Sequence, residues 1–165
     1  MTLREVGRLA GVSHNAPYKH FAGKEDLLAA VAARQLGRQD LPTDGARAGP
    51  AAEDALRQMM HSYVRWAMRY PARFKLTFGS WSTDSAELAG AATAARSTLV
   101  EAVGAAQAAE ALPEGDPERV AALVLAVAHG AVDLALSGHL SATGKGHASP
   151  DDLVDDLLDH LHHAR

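Results

Sequence analysis

The sequence predicts an all-α fold: a small helix-turn-helix head on a larger helical body. Three observations predict it. Apolar residues recur at helical spacing throughout, and no stretch of any length alternates as a half-buried strand would. Alanine is abundant while aromatic residues are only 5% of the chain, which favours closely packed helices. Hydrophobic residues make up 47% of 165, enough for a real core in one compact domain or a small module attached to a larger one.

The elements follow in order. Thr2 and Glu5 form a T-x-x-E capping box that starts a helix running to about Ala10. Gly11 supplies the open backbone needed after its last turn. Ser13 is placed to cap a second helix, His14–His20, with Pro17 near its first turn, where a missing N–H does least harm. Gly23 starts a third helix from Lys24 to about Arg38, with Glu25 and Asp26 favourably near its N-terminus. Residues Asp40–Pro50 read as a linker or exposed loop. A helix from Ala51 places Leu56, Met59, Met60, Tyr63, Val64 and Ala67 on one stripe, and Pro71 interrupts it. A short helix, Ala72–Phe78, leads through a turn to a long Ala-rich helix, Ser85–Ala109. Asp116 caps a helix from Glu118 to about His139. A flexible segment, Ser141–Ser149, precedes the last helix, Pro150–His163, with Pro150 at its first position.

Charge is unevenly spread. Residues 1–38 hold six basic and three acidic side chains, a net of +3, so the remainder carries −4 − 3 = −7. A basic end on an acidic body suits a polyanion-binding head on a regulatory body. There is no cysteine, which excludes disulfides and thiolate chemistry. No signal sequence is recognisable, so a cytoplasmic location is expected. The longest apolar run, Val120–Leu136, contains His129, Gly130 and Asp133 and reads as too short and too polar for a membrane span. The expected division is 1–38 for the head with its connecting helix and 51–165 for the body.

Several features of the head converge on double-stranded DNA. The turn Ala10-Gly11-Val12-Ser13 fixes two helices at a steep angle, and Leu3, Val6, Ala10, Val12, Phe21, Leu27 and Leu28 can form a mini-core beneath them. The second helix then exposes His14, Asn15, Ala16 and Lys19, of which Asn and Lys pair well with base edges. Ser13, Tyr18, His20 and Lys24 are of the type that grips phosphate.

The motifs Thr2-Leu3-Arg4-Glu5-Val6, Ala10-Gly11-Val12-Ser13, Tyr18-Lys19-His20-Phe21 and Lys24-Glu25-Asp26-Leu27-Leu28 resemble the head of TetR-family transcriptional regulators. The resemblance implies a dimeric repressor that releases DNA when a small molecule binds the body. By motif match, Thr2, Ser13, Tyr18, His20 and Lys24 would contact phosphates, and His14, Asn15, Ala16 and Lys19 would face bases. Two departures stand out. Gly7 sits where the family usually has alanine, at a cost of roughly 1 kcal/mol in a helix interior. The family also has a longer first helix before this point, whose apolar face completes the head core, and it is missing here. The expectation is that the start lies downstream of the true one. The alternative is a real loss, leaving a dimeric small-molecule-binding protein with impaired or no DNA binding.

In the body, six of eight aromatic residues fall in one window, Tyr63 to Trp81, flanked by Met59, Met60 and Met68. Such side chains build adaptable apolar cavities. Met59, Met60, Tyr63, Trp66, Phe74, Phe78 and Trp81 are therefore candidates for binding a small hydrophobic or aromatic effector. The small side chains of Ser85–Ala109 support this, since they leave space unless their neighbours pack very close. His129 and Asp133 lie one turn apart and could pair or touch the same effector. Trp81 with His129-Gly130 is similar, more loosely, to a TetR C-terminal subtype marked by a Trp and a His-Gly pair. Leu123, Val127 and Ala131, with Val154, Leu157, Leu158 and Leu161 of the last helix, could form half of a four-helix homodimer seam. Leu153 shares that last face. His160, His162 and His163 match no closed metal site, and no cofactor motif is recognisable. An enzyme using His129 and Asp133 as an acid–base pair is a minor alternative.

Overall fold

The computed structural model describes residues 2–37 and 50–163. Among these, seven α-helices and one 3-10 turn account for the architecture, in the order α1 (Leu3–Leu9), the 3-10 turn Pro17–Lys19, α2 (Lys24–Leu36), α3 (Pro50–Arg69), α4 (Pro71–Thr77), α5 (Ala86–Ala108), α6 (Pro117–Leu136) and α7 (Pro150–His163). No strand occurs among the described residues; a lone bridge pairs Ser141 with Gly146. Arg38 and the expected linker from Asp40 to residue 49 lie outside the described residues.

Local chemistry sets most helix ends. Thr2 Oγ1 accepts from the Glu5 N–H at 3.3 Å while the Thr2 N–H donates to Glu5 Oε2 at 2.6 Å, which closes the capping box on α1. Asp116 accepts from the Glu118 N–H at 2.9 Å to start α6. Ser149 and Asp152 exchange bonds in the same way ahead of α7, at 2.7 and 3.2 Å. Prolines open α4, α6 and α7, where their lost N–H would have had no helical partner.

The second helix expected at His14–His20 is not formed. A single 3-10 turn, Pro17–Lys19, stands in its place. Pro17 has no N–H, so the α-type bond back to Ser13 cannot form, and the Ser13 carbonyl instead accepts from Ala16 at 3.0 Å. Ser13 thus contributes its carbonyl to the turn rather than a hydroxyl cap. The segment expected to be flexible, Ser141–Ser149, is likewise folded back. The Ser141 N–H donates to the Lys145 carbonyl at 2.8 Å, and Leu140 and Ala148 are buried against Ala131.

The core lies where α3, α5, α6 and α7 meet. Leu56, Met60 and Val64 of α3, Val103 of α5, Val124 and Val132 of α6, and Val154 and Leu158 of α7 are sealed from solvent. Across the α3–α7 seam, Arg57 donates to Asp155 (2.7 Å) and Asp159 (2.6 Å), and within α3 it donates to Glu53 (3.1 Å). Burial acts to lower the Arg57 pKa, but the three carboxylates outweigh it and hold the guanidinium above its ordinary value. His61 Nε2 lies 2.9 Å from Asp155 on the same seam.

Helix α6 is, by length and composition alone, long and apolar enough to cross a membrane, contrary to the expectation for Val120–Leu136. In this fold it instead packs against α3, α5 and α7. The head helix α2 packs against α4 and α5, and its Ala29, Ala32 and Ala33 are buried.

Candidate nucleic-acid interface and internal cavity

The head presents its polar residues outward. Thr2, Ser13, His14, Asn15, Tyr18, Lys19, His20 and Lys24 are all exposed, and Ala16 is half-buried. They are held by a small support. Leu3 and Pro17 are buried, while Val6, Phe21, Leu27 and Leu28 are half-buried. Two expected members of the mini-core are not in it: Ala10 is exposed, and Val12 is 49% exposed. Leu9 beside them is 71% exposed. The chain turns between Ala10 and Val12 at Gly11, which takes the left-handed φ of 70°.

Gly7 has a steric reason. A Cβ there would come within 3.2 Å of Pro17 Cγ and 3.2 Å of the Ser13 carbonyl. The residue that costs α1 some helix propensity is the one that lets the 3-10 turn lie against it.

Three side-chain bonds tie the first turn of α2 to the body, and at its other end Arg73 Nη1 donates to Gln35 Oε1 at 3.5 Å. The Ser82 N–H donates to Glu25 Oε1 at 2.6 Å, and Ser82 Oγ donates to Glu25 Oε2 at 2.5 Å. Thr83 Oγ1 donates to Asp26 Oδ1 at 2.5 Å, while Asp26 Oδ2 accepts from the Ala22 N–H at 3.0 Å. The Ser82 hydroxyl and N–H hold the Glu25 carboxyl below its ordinary pKa. The sequence signals none of this, because Ser82 and Thr83 read as ordinary turn residues.

A cavity of about 390 Å³ lies in the body. That is within the ~300–1,000 Å³ range of small-molecule sites. Met59, Met60, Tyr63, Phe78 and Trp81 line it, as do Leu88, Ala92, Ala95 and Leu99 of α5 and Ala121, Ala122 and Leu125 of α6. The alanines of α5 leave the space that larger side chains would fill. Leu36, the last residue of head helix α2, also forms part of the wall. Arg96 and Glu118 are paired at the cavity and are its charged lining residues. Thr77 lines it as well, and its hydroxyl is buried without a hydrogen-bond partner.

Four residues expected at such a site do not reach it: Trp66, Phe74, His129 and Asp133. Phe74 is buried behind the wall, its ring 4.6 Å from His129 and 5.6 Å from Phe78 between centroids. Trp66 packs at the edge of the core. His129 does not bond Asp133 as its spacing suggested. Its Nδ1 lies 2.9 Å from Tyr63 Oη, on α3, and Asp133 is exposed. Burial lowers the His129 pKa, partly opposed by the Asp133 charge, and burial pushes the Tyr63 phenol up. Sequence reading missed Leu36, Thr77, Gly79, Leu88, Ala92, Ala95, Arg96, Leu99, Glu118, Ala121, Ala122 and Leu125; the alanine run in α5 was the available signal.

The expected seam residues divide in two. Ala131, Val154 and Leu158 are buried within their own chain, so their apolar character is spent on the core. Leu123 is 44% exposed, and Val127, Leu157 and Leu161 are half-buried. Leu134, which shares the outer side of α6, is 46% exposed. Among the described residues, no group of three or more His, Asp or Glu side chains is placed to hold a metal ion.

Comparison with known proteins adds two family matches. Residues 1–31 match the family described as bacterial regulatory proteins, tetR family, and residues 56–161 match the tetracyclin repressor-like C-terminal domain. A solved structure of a protein with unknown function from Rhodococcus sp. RHA1 is similar at a TM-score of 0.79 and 29% identity, covering 99% of this chain and 84% of that one. No curated protein matches the chain.

Proposed function

Because the chain belongs to the TetR family of DNA-binding transcriptional regulators, we propose that it is a cytoplasmic, homodimeric repressor released from its operator by a small hydrophobic or aromatic effector. The observation that carries this reading is the cavity whose wall includes Leu36, a residue of the head's own helix α2. A molecule occupying that space acts on both parts of the chain at once. Its apolar lining and internally paired charges suit an apolar guest, since an unpaired charge there would lose hydration without compensation. Trp81 on the wall and His129 behind it fit the Trp and His-Gly subtype.

In this reading, Thr2, Ser13, Tyr18, His20 and Lys24 hold phosphates, and His14, Asn15, Ala16 and Lys19 face the bases. The seam runs along the outer sides of α6 and α7 through Leu123, Leu134, Val127, Leu157 and Leu161. Two heads then meet successive major grooves about 34–36 Å apart, and effector binding changes that separation.

The test is selection of binding sites from a random duplex pool, followed by salt titration. The wild type returns an inverted repeat with half-sites about one helical turn apart. Lys24→Ala keeps the same consensus and lowers the slope of log K against log salt by about 1. Asn15→Ala changes the consensus. An unchanged slope removes Lys24 from the phosphate contacts, and an unchanged consensus removes Asn15 from base reading. A chain that selects no site yet takes up an apolar probe is a small-molecule-binding protein instead.

A further inference from the structure

The connector between α4 and α5 does two things within a few residues. Phe78, Gly79 and Trp81 line the cavity, and the next two residues, Ser82 and Thr83, bond Glu25 and Asp26 at the start of α2. The residue before Glu25 is Lys24, which is exposed on the head. Asp26 also bonds the Ala22 N–H, one residue after Phe21 of the head's support. The chain thus runs from cavity wall to head surface with no more than one residue between successive contacts.

We infer that Ser82 and Thr83 are positioning residues, which transmit the displacement of Trp81 by a cavity occupant to Lys24 and the 3-10 turn through Glu25 and Asp26. The inference rests on the effector-responsive reading above and adds the route. Two features of the geometry suit a transmitter. The bonds are short and charge-assisted, so they resist stretching more than neutral ones do. Two of them grip a single carboxylate, one from a side chain and one from the backbone N–H of Ser82. Glu25 therefore follows the Ser82 backbone itself, whatever the serine side chain does. The carboxyl of Glu25 is held ionised by these same donors. Helix α2 packs against α4 and α5 and buries Ala29, Ala32 and Ala33, so it stays seated and a pull at its first turn tilts it rather than lifting it away.

The experiment uses the full chain, N-phenyl-1-naphthylamine as a neutral apolar probe for the cavity, and a 30-base-pair duplex selected on the wild type. Duplex affinity is measured with and without saturating probe. The wild type is expected to lose at least about fivefold in affinity, the lower end of ordinary coupling between sites. Glu25→Ala with Thr83→Val removes all three bonds and leaves Asp26 on Ala22. It is expected to reduce the probe's effect to under about twofold while each separate affinity stays near wild type. Ser82→Ala with Thr83→Val leaves α2 unaltered and removes two of the three bonds, so it should give an intermediate effect even if the first variant fails to fold. A probe effect that survives in both variants overturns the inference. So does loss of the probe's or the duplex's own affinity, which would mark the bonds as structural only. A wild type whose cavity takes the probe with no change in duplex affinity overturns it too. A wild type that binds duplex but never takes the probe fails at the earlier step, and the effector-responsive reading falls with the inference.

Discussion

In the body, Leu56, Met60, Val64, Val103, Val124, Val132, Val154 and Leu158 are sealed from solvent where four helices meet. In the head, Leu3 is the large side chain that is sealed, while Leu9 and Val12 face water, and the join to the body adds directional polar bonds at the first turn of α2 to the buried alanines farther along it. Apolar burial of the first kind is insensitive to direction, so the body holds together through many small displacements. Hydrogen bonds are directional, so the aim of the first turn of α2 depends on a few atoms. A head that is weakly buried and directionally tethered is easily re-aimed by the body that carries it.

The largest expected effect tests this contrast directly. Leu158→Ala should lower unfolding stability by roughly 2–5 kcal/mol in a denaturant titration, because it empties a site with no solvent access. Leu9→Ala, at a side chain that is 71% exposed, should stay within about 0.5 kcal/mol. Comparable losses would mean the head is as firmly packed as the body.

A smaller effect concerns pH. Burial lowers the His129 pKa, so the unfolded chain binds that proton more readily than the folded one. Stability owed to neutral His129 is therefore complete above the ordinary imidazole value of about 6.5 and is lost as pH falls towards the depressed folded value. Thermal melts between pH 8 and 5 should show a decline that is shallower in His129→Asn. An identical pH slope in the two proteins would remove His129 from the balance.

The smallest effect sharpens the view of the head. Gly7→Ala should gain roughly 1 kcal/mol by helix propensity alone. The Cβ would meet Pro17 Cγ and the Ser13 carbonyl at 3.2 Å, so the expected net change is near zero or a slight loss. In a Pro17→Ala background the same substitution should stabilise, and a double-mutant cycle reads the difference. Full additivity would mean that Gly7 and Pro17 do not press on each other.

What could be read from the sequence was local. The Thr2–Glu5 box and the prolines that open α4, α6 and α7 act within a few residues, and each fixes an end without help from elsewhere. Pro17 is legible as a residue that a helix tolerates in its first turn, yet the bond it lacks is the one that would have closed the turn. The apolar stripe of α7 was legible as a stripe, but periodicity does not say which surface covers it, and Val154 and Leu158 turned to their own core. For the cavity, the aromatic window was visible, while the α5 and α6 wall depended on helices meeting from distant parts of the chain. His129 found Tyr63 rather than Asp133 for the same reason: the nearer residue in sequence points outward, and the partner sits on another helix.

The 3-10 turn has a consequence for how much a single head can know. The proposed base-facing stretch, His14 to Lys19, is six residues, and at about 2.0 Å each, the rise of that turn, it extends roughly 12 Å. Along duplex DNA, at about 3.4 Å per step, that is less than four base pairs. A probe so short carries few bits, and many places in a genome would satisfy it. In the proposed dimer, most of the information would then reside in the interval between two brief readings, as a ruler with two marks is defined by its gap. Any influence that alters the gap erases the message without touching either mark.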